Sequence, residues 1–283
     1  MIAALSRRLT LPRLALGLLF LGLLWRITRW AWGFPIWGDE AFVGVNFITR
    51  DYAGMIRPLE YGQIAPLVFM WAELAISRLL GLSEWALRLL PTLASLAALL
   101  LFWRFSHRVL PGRAALLATS IFAAAYYVVR HGAELKPYST DLLVSLGLTM
   151  LAWRVFERPR AAGRWVLLIF AAGSAVWCSY PAAFVIAAVG LLLTWLLIRE
   201  KFNAGVLCGW TCFGLVSGGS FLAMYLMCAK PHAEAAARLT EINMWAQAFP
   251  PLAHPLKLVV WLAAIHTGRS MVSQRVCNVA TRS

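Results

Sequence analysis

Long apolar runs recur along this chain, at about residues 14–30, 87–103, 114–130, 140–156, 165–180, 181–198 and 204–228, separated by short polar stretches in which Arg and Lys collect. A helix needs about 20 predominantly apolar residues to cross the hydrocarbon core of a bilayer, and a water-soluble core cannot absorb so many runs of that length. Hydrophobic residues make up 61% of the 283 and charged residues 13%, against roughly half and a quarter in soluble domains. The fold class that follows is all-α: a polytopic transmembrane helical bundle. A shorter run, 256–265, interrupted by Lys257, begins an eighth helix.

A net charge of +14 would suit a nucleic-acid partner if the cations formed one patch. They fall instead into the turns between apolar runs, the positive-inside pattern of a membrane protein, so no nucleic acid is expected. Arg7, Arg8 and Arg13 ahead of the first run resemble a signal peptide, but no small-residue cleavage site follows, and the run is expected to be retained as a span. The segment Ile64 to Leu80 is apolar yet carries Glu73 and Arg78. If it does not cross, the clusters around Arg104–Arg113, Arg154–Arg164 and Arg199–Lys201 all fall in the cytoplasm with the N-terminus. If it crosses, all three move outside. The first choice makes it a helix lying at the outer surface, with a second between Glu40 and Gly54. The protein is then a multi-pass protein of the cell membrane, the inner membrane in a Gram-negative source. Of the 12 Asp and Glu, only Glu157 and Glu200 face inward in this topology. Acids contribute little to orientation, so their concentration outside points to chemistry there as readily as to long polar loops.

The first outer loop opens with Trp37-Gly38-Asp39-Glu40-Ala41. Adjacent carboxylates at a membrane surface can activate a hydroxyl, bind a cation, or cap a helix. The second outer segment, His131-Gly132-Ala133-Glu134-Leu135-Lys136-Pro137-Tyr138-Ser139-Thr140-Asp141, packs an imidazole, two carboxylates, an ammonium, a phenol and two hydroxyls at a helix start. Backbone N–H groups and the helix dipole also favour an anion there. The competing reading is a capped helix with Lys136 reaching to lipid headgroups. A third segment, from Met227 to Pro255, carries Lys230, His232, Glu234, Arg238, Glu241 and Trp245 and suits either a flap or an inert interfacial helix. Aromatics such as Trp37 and Trp71 read as an interface belt or as sugar platforms. No nucleotide-binding glycine loop, HExxH or GxSxG occurs, and five scattered cysteines give neither a disulfide framework nor a metal site.

In order and content these segments resemble the GT-C type polyprenyl-phosphate-sugar glycosyltransferases, the superfamily of protein O-mannosyltransferases and lipid A aminoarabinose transferases. The resemblance rests on the first span, Asp39-Glu40, the surface segment ending Leu80-Gly81, then Ser83-Glu84-Trp85-Ala86-Leu87-Arg88-Leu89-Leu90-Pro91, and Glu134-Leu135-Lys136-Pro137-Tyr138-Ser139-Thr140-Asp141. It covers about the first 200 residues. It implies surface helices in the first outer loop, an essential acid at Asp39 with Glu40 beside it, and a donor-phosphate site bordered by Lys136, Tyr138 and Asp141. Lys136 stands where many relatives have Arg. Family members continue through further helices, so residues 1–268 are expected to form an incomplete glycosyltransferase module and 269–283 a polar tail outside the fold, in a truncated or frame-altered product.

The expected activity is transfer of a sugar from a polyprenyl-phosphate donor to a glycan, lipid or protein acceptor at the outer face. Asp39 and Glu40 are the candidate catalytic residues. Arg57, His131, Glu134, Lys136, Tyr138 and Asp141 are the candidate substrate-binding residues, and no metal ligands are assigned, although a divalent metal cofactor stays open. Membrane lipids are the other partners. The rival readings are a transporter or flippase of lipid-linked sugars, which would carry charge near the bilayer midplane, and an inactive fragment.

Overall fold

A computed structural model describes residues 11–239 and 254–266, and every described regular element is helical. The chain divides into two units, Met1–Ala233 and Glu234–Ser283. The polar tail, together with Glu241, Trp245 and the Pro250-Pro251 pair, lies outside the described residues.

The long helices of the first unit coincide with the apolar runs. They are α1 (Leu11–Ala31), α5 (Leu89–Val109), α6 (Gly112–Ala124) with its short continuation α7 (Tyr126–Arg130), α8 (Tyr138–Glu157), α9 (Ala162–Cys178), α10 (Ala182–Arg199) and α11 (Ala204–Met224). Helices α1, α5, α8, α10 and α11 are long and apolar enough to cross a membrane. The α6–α7 pair reaches that length only across a 53° bend, and α9 is shorter. Between α1 and α5 lie α2 (Gly38–Thr49), α3 (Leu67–Leu80) and the single turn α4 (Glu84–Leu87). A π-turn at Tyr225–Ala229 leads from α11 into α12 (Lys230–Leu239), and the run at 256–265 becomes α13 (Pro255–His266).

Helices α1, α5 and α6 pack together, α5 passes the contact on to α8, and α8 leads to a second group of α9, α10 and α11. The second group closes around buried Leu148, Trp165, Leu168, Leu193 and Phe213. Close approach is built into it: a Cβ at Gly209 would lie 2.4 Å from the Trp165 ring, so only glycine admits that indole.

The span expected at 114–130 is present as the bent α6–α7 pair. Ala125, at φ −59° and ψ 117°, leaves the helix and strips the carbonyls of Phe122 and Ala123 of their intrahelical donors. Arg26 of α1 supplies them: its guanidinium donates to Ala123 O at 3.1 Å, to Phe122 O at 3.3 Å and to the Ser95 hydroxyl at 3.0 Å. A cation inside an apolar span is costly unless its N–H groups are satisfied, and here the broken helix satisfies them.

Helices α2 and α3 form a small cap with its own core. Leu67, Met70 and Leu74 recur at helical spacing on α3 and meet Val43 and Phe47 of α2, with Met55, Leu59 and Leu135 closing the cluster. Tyr180, in the α9–α10 turn, donates its hydroxyl to Ala65 O at 3.1 Å and ties the cap to the bundle.

The two ends of the bundle differ chemically. At the end holding the C-termini of α5 and α8, Arg108 grips Glu157 with two 2.7 Å bonds, and Arg160 pairs with Glu200 at 3.5 Å. The N-termini of the same helices carry Arg88 and the His131–Asp141 segment. A helix of 21 residues, as α5 is, separates these ends by about 30 Å.

Candidate functional site

Helix α2 starts at Gly38 with Trp37 as its N-cap and no side-chain cap bond, so Asp39 and Glu40 stand in the first turn rather than at the cap. Being adjacent on a helix, they point in different directions, and their surroundings diverge completely.

Glu40 is fully buried. Its carboxylate accepts from Arg88 Nε at 2.9 Å, from Arg88 Nη2 at 2.5 Å, and from the Leu135 backbone N–H at 2.7 Å. Arg88 also donates to the carbonyls of Phe34 and Pro35. One buried ion pair therefore joins the chain leaving α1, the start of α2, the start of α5 and the loop before α8.

Asp39 points about 100° away from Glu40 around the helix. Its side chain is 41% exposed and pairs with Lys136 Nζ at 3.0 Å, while Lys136 itself is nearly buried and donates at 2.9 Å to Gln63 Oε1. Gln63 reaches this position through a tight turn in which Tyr61 (φ 55°) and Gly62 (φ 64°) both adopt left-handed backbone. Tyrosine is uncommon there and costs energy. The Tyr61 ring is held by stacking on Phe42, with centroids 4.9 Å apart.

The Lys136 segment is anchored by what alternates with it. Leu135 is fully buried in the core of the cap, so Glu134 and Lys136 flank it. Glu134 accepts from Arg130 at 3.2 Å and bonds His131 Nδ1 at 2.6 Å. The His131 ring lies between Tyr127 and Tyr138 at centroid distances of 6.0 and 4.8 Å. A Cβ at Gly132 would lie 2.7 Å from Ser95 Oγ, so glycine lets this loop sit down on α5. Ser139 donates to His131 O at 3.1 Å and Thr140 to Pro137 O at 2.6 Å. These hydroxyls brace the loop rather than cap α8.

Asp141 lies deeper. Its Oδ1 and the Ser179 hydroxyl are both buried. Arg57 is exposed, and it is its backbone carbonyl that takes part locally, accepting from Arg50 at 3.2 Å. The structure thus brings Asp39 and Lys136 into contact, groups His131, Glu134 and Tyr138 beside them, and leaves the Arg57 side chain outside the cluster. Trp37 is exposed, whereas the Trp71 indole is committed to Tyr52 O at 2.8 Å.

Sequence reasoning missed Gln63, Arg26, Arg29 and Arg130, and it quoted Arg88 only within a longer motif. Arg26 and Arg29, a turn apart on an apolar helix, were the legible signal. Gln63 had none. Among the described residues no group of three or more His, Cys, Asp or Glu gathers in metal-binding fashion.

The sequence model of the dolichyl-phosphate-mannose-protein mannosyltransferase family matches residues 65–227. The chain belongs to this family. No curated protein and no solved structure matches it. As a member of the mannosyltransferase family it is a membrane glycosyltransferase of the GT-C type with several membrane-crossing helices. The matched region contains Arg88 and the whole His131–Asp141 segment, while Asp39, Glu40 and Arg57 precede it. Asp39 and Glu40 come to lie beside the family segment through their contacts with Lys136 and the Leu135 N–H.

Proposed function

We propose that this chain transfers a sugar from a polyprenyl-phosphate donor to an acceptor hydroxyl at the extracytoplasmic face, with Asp39 as general base. The observation that carries the reading is the contrast between two neighbouring acids. Glu40 is spent on a buried ion pair, whereas Asp39 is open to solvent and held 3.0 Å from a lysine. The acceptor O–H gives its proton to Asp39, the acceptor oxygen bonds the anomeric carbon, and the bond from that carbon to the phosphate oxygen breaks. The departing lipid phosphate gains negative charge, which Lys136 offsets. When Lys136 turns toward the phosphate it releases Asp39, so one contact links donor arrival to availability of the base. Tyr138, 47% exposed at the head of α8, stands near the Asp39 carboxylate. Glu40 and Arg88 act as positioning residues in this scheme.

Membranes bearing the full chain, supplied with polyprenyl-phosphate sugars and candidate acceptors, test it. Asp39→Asn keeps the size and position of the side chain but cannot accept a proton. General-base assistance is worth about 10² to 10⁴ in rate, and a loss of that order is expected with insertion unchanged. Retention of more than about a tenth of the parental rate, a barrier change below roughly 1.4 kcal/mol, would remove Asp39 from the role of base.

A further inference from the structure

Phe42 and Tyr61, both exposed, form a stacked pair next to Asp39. Phe42 follows Asp39 at i+3 on α2, and side chains at that spacing are neighbours, with about 5–6 Å between their Cβ atoms. The Tyr61 ring lies on Phe42 with centroids 4.9 Å apart and planes 25° from parallel. One face of the Tyr61 ring is thereby covered, yet the residue is 62% exposed, so its other face is open to solvent.

The turn that presents this ring is fixed from several directions. Glu60 N–H donates to Asn46 Oδ1 at 3.0 Å, and Asn46, fully buried, gives its own amide to the Phe42 and Val43 carbonyls at 3.1 and 3.2 Å. The Glu60 carboxylate pairs with Arg50 at 2.9 Å, and Gln63 accepts from Lys136. Between these anchors Tyr61 holds φ 55° and ψ 26°. Glycine or asparagine adopts that conformation at little cost, whereas tyrosine is strained there. Backbone geometry therefore does not ask for the ring, and its stacking on an exposed phenylalanine returns no more than the strain costs. Strained residues gather at ligand sites, where a rigid surface lowers the ordering entropy lost on binding.

The chemistry of the surface selects its ligand. A pyranose presents a face of C–H groups bounded by hydroxyls, so it can lie on an open aromatic face while one rim hydroxyl reaches the carboxylate beside it. An extended peptide is held chiefly through main-chain hydrogen bonds, and here the Glu60 N–H is already bonded to Asn46, the Gln63 N–H to Glu60 O at 3.2 Å, and the α2 backbone within its own helix.

We propose that Tyr61, backed by Phe42, is the platform for a saccharide acceptor and sets a preference for a sugar hydroxyl over a serine or threonine of a protein. That the bound saccharide is an acceptor rests on Asp39 as the base, as given above. Tyr61 and Gln63 share one turn, so the group that seats the acceptor and the group that holds Lys136 are positioned together.

The test places the full chain in phosphatidylcholine nanodiscs, free of glycosidic detergent, and offers the methyl glycosides of mannose, glucose, galactose and N-acetylglucosamine. Saturation-transfer NMR should show contact at the ring C–H protons of at least one of them. Tyr61→Asn should weaken its Kd about fivefold or more, the loss expected for one stacking contact, and Tyr61→Phe should keep it within about twofold. Asparagine suits the left-handed turn, so thermal unfolding of Tyr61→Asn should match the parent's, which separates a lost ring from a lost fold. With a polyprenyl-phosphate sugar as donor, the same glycoside should serve as acceptor, its KM raised and kcat little changed by Tyr61→Asn, because binding is lost equally in the ground and transition states. Glycoside binding that is absent, or that Tyr61→Asn leaves unchanged, would overturn the platform and leave glycosyl transfer standing. Transfer to a serine- and threonine-bearing peptide with none to any glycoside would overturn the saccharide preference. Ring-dependent glycoside binding without turnover of any polyprenyl-phosphate sugar would uphold the platform and overturn the donor reading instead.

Discussion

Replacing Glu40 by Gln should unfold the cap long before it reveals anything about catalysis. The carboxylate is fully buried and accepts three hydrogen bonds, two of them from an arginine that is itself 4% exposed. Removing one partner of a buried pair costs about 3–5 kcal/mol, because the other charge is left uncompensated. Arg88 keeps the carbonyls of Phe34 and Pro35, and Gln can still accept one bond. The loss should therefore sit at the lower end, about 3 kcal/mol, which is a large part of the roughly 5–15 kcal/mol that holds a typical domain folded. Thermal unfolding of the detergent-solubilised chain, with the fraction recovered monodisperse after heating, measures it. The pairing makes a second, sharper statement. Arg88→Met alone should be as damaging as Glu40→Gln, but Glu40→Gln with Arg88→Met removes both charges, and the double change should cost less than the sum of the singles by about 0.5–3 kcal/mol. A Glu40→Gln chain as stable as the parent, or strictly additive single and double changes, would refute the assignment of Glu40 to positioning and return it to the catalytic candidates alongside Asp39.

Lys136→Ala should raise the donor KM more than the acceptor KM, because a cation beside the phosphate acts in the ground state as well as the transition state; an unchanged donor dependence would separate Lys136 from the phosphate. Glu73, on α3, has both carboxyl oxygens buried without hydrogen-bond partners among the described residues, and burial pushes its pKa well above the usual carboxylate range. The folded state then binds the proton more tightly than the unfolded chain. Its stabilising contribution is complete below the unfolded pKa and is lost as pH rises toward the raised folded value, with a slope approaching about 1.4 kcal/mol per pH unit. Glu73→Gln should remove that slope in unfolding measured across pH, and a slope that persists would exclude Glu73 as its source. Single cysteines at Tyr61 and Arg158, both exposed, should react from opposite sides of the membrane with an impermeant reagent, Tyr61→Cys from outside. The reverse pattern would invert the topology.

The run of apolar segments determined the helical bundle, because the spacing of spans is set by bilayer thickness and by the demand that every backbone group be bonded within its own helix. The grouping of chemistry at His131–Asp141 was equally legible, since local density needs no knowledge of folding. Tertiary structure decided what each residue touches. Asp39 and Glu40 are indistinguishable as a dipeptide, and only the 100° turn between neighbours on α2 sends one into a buried pair with Arg88 and leaves the other partly exposed against Lys136. Gln63 joins them through two left-handed residues that no periodicity announces. Arg26 and Arg29, three residues apart on the same apolar helix, also part company: one repairs the carbonyls of a broken neighbour, and the other has no carboxylate partner among the described residues. A burial partner lies far away in sequence, at Ser95, Phe122 or Arg130, and pairwise contact at such separation is a property of the packed bundle alone.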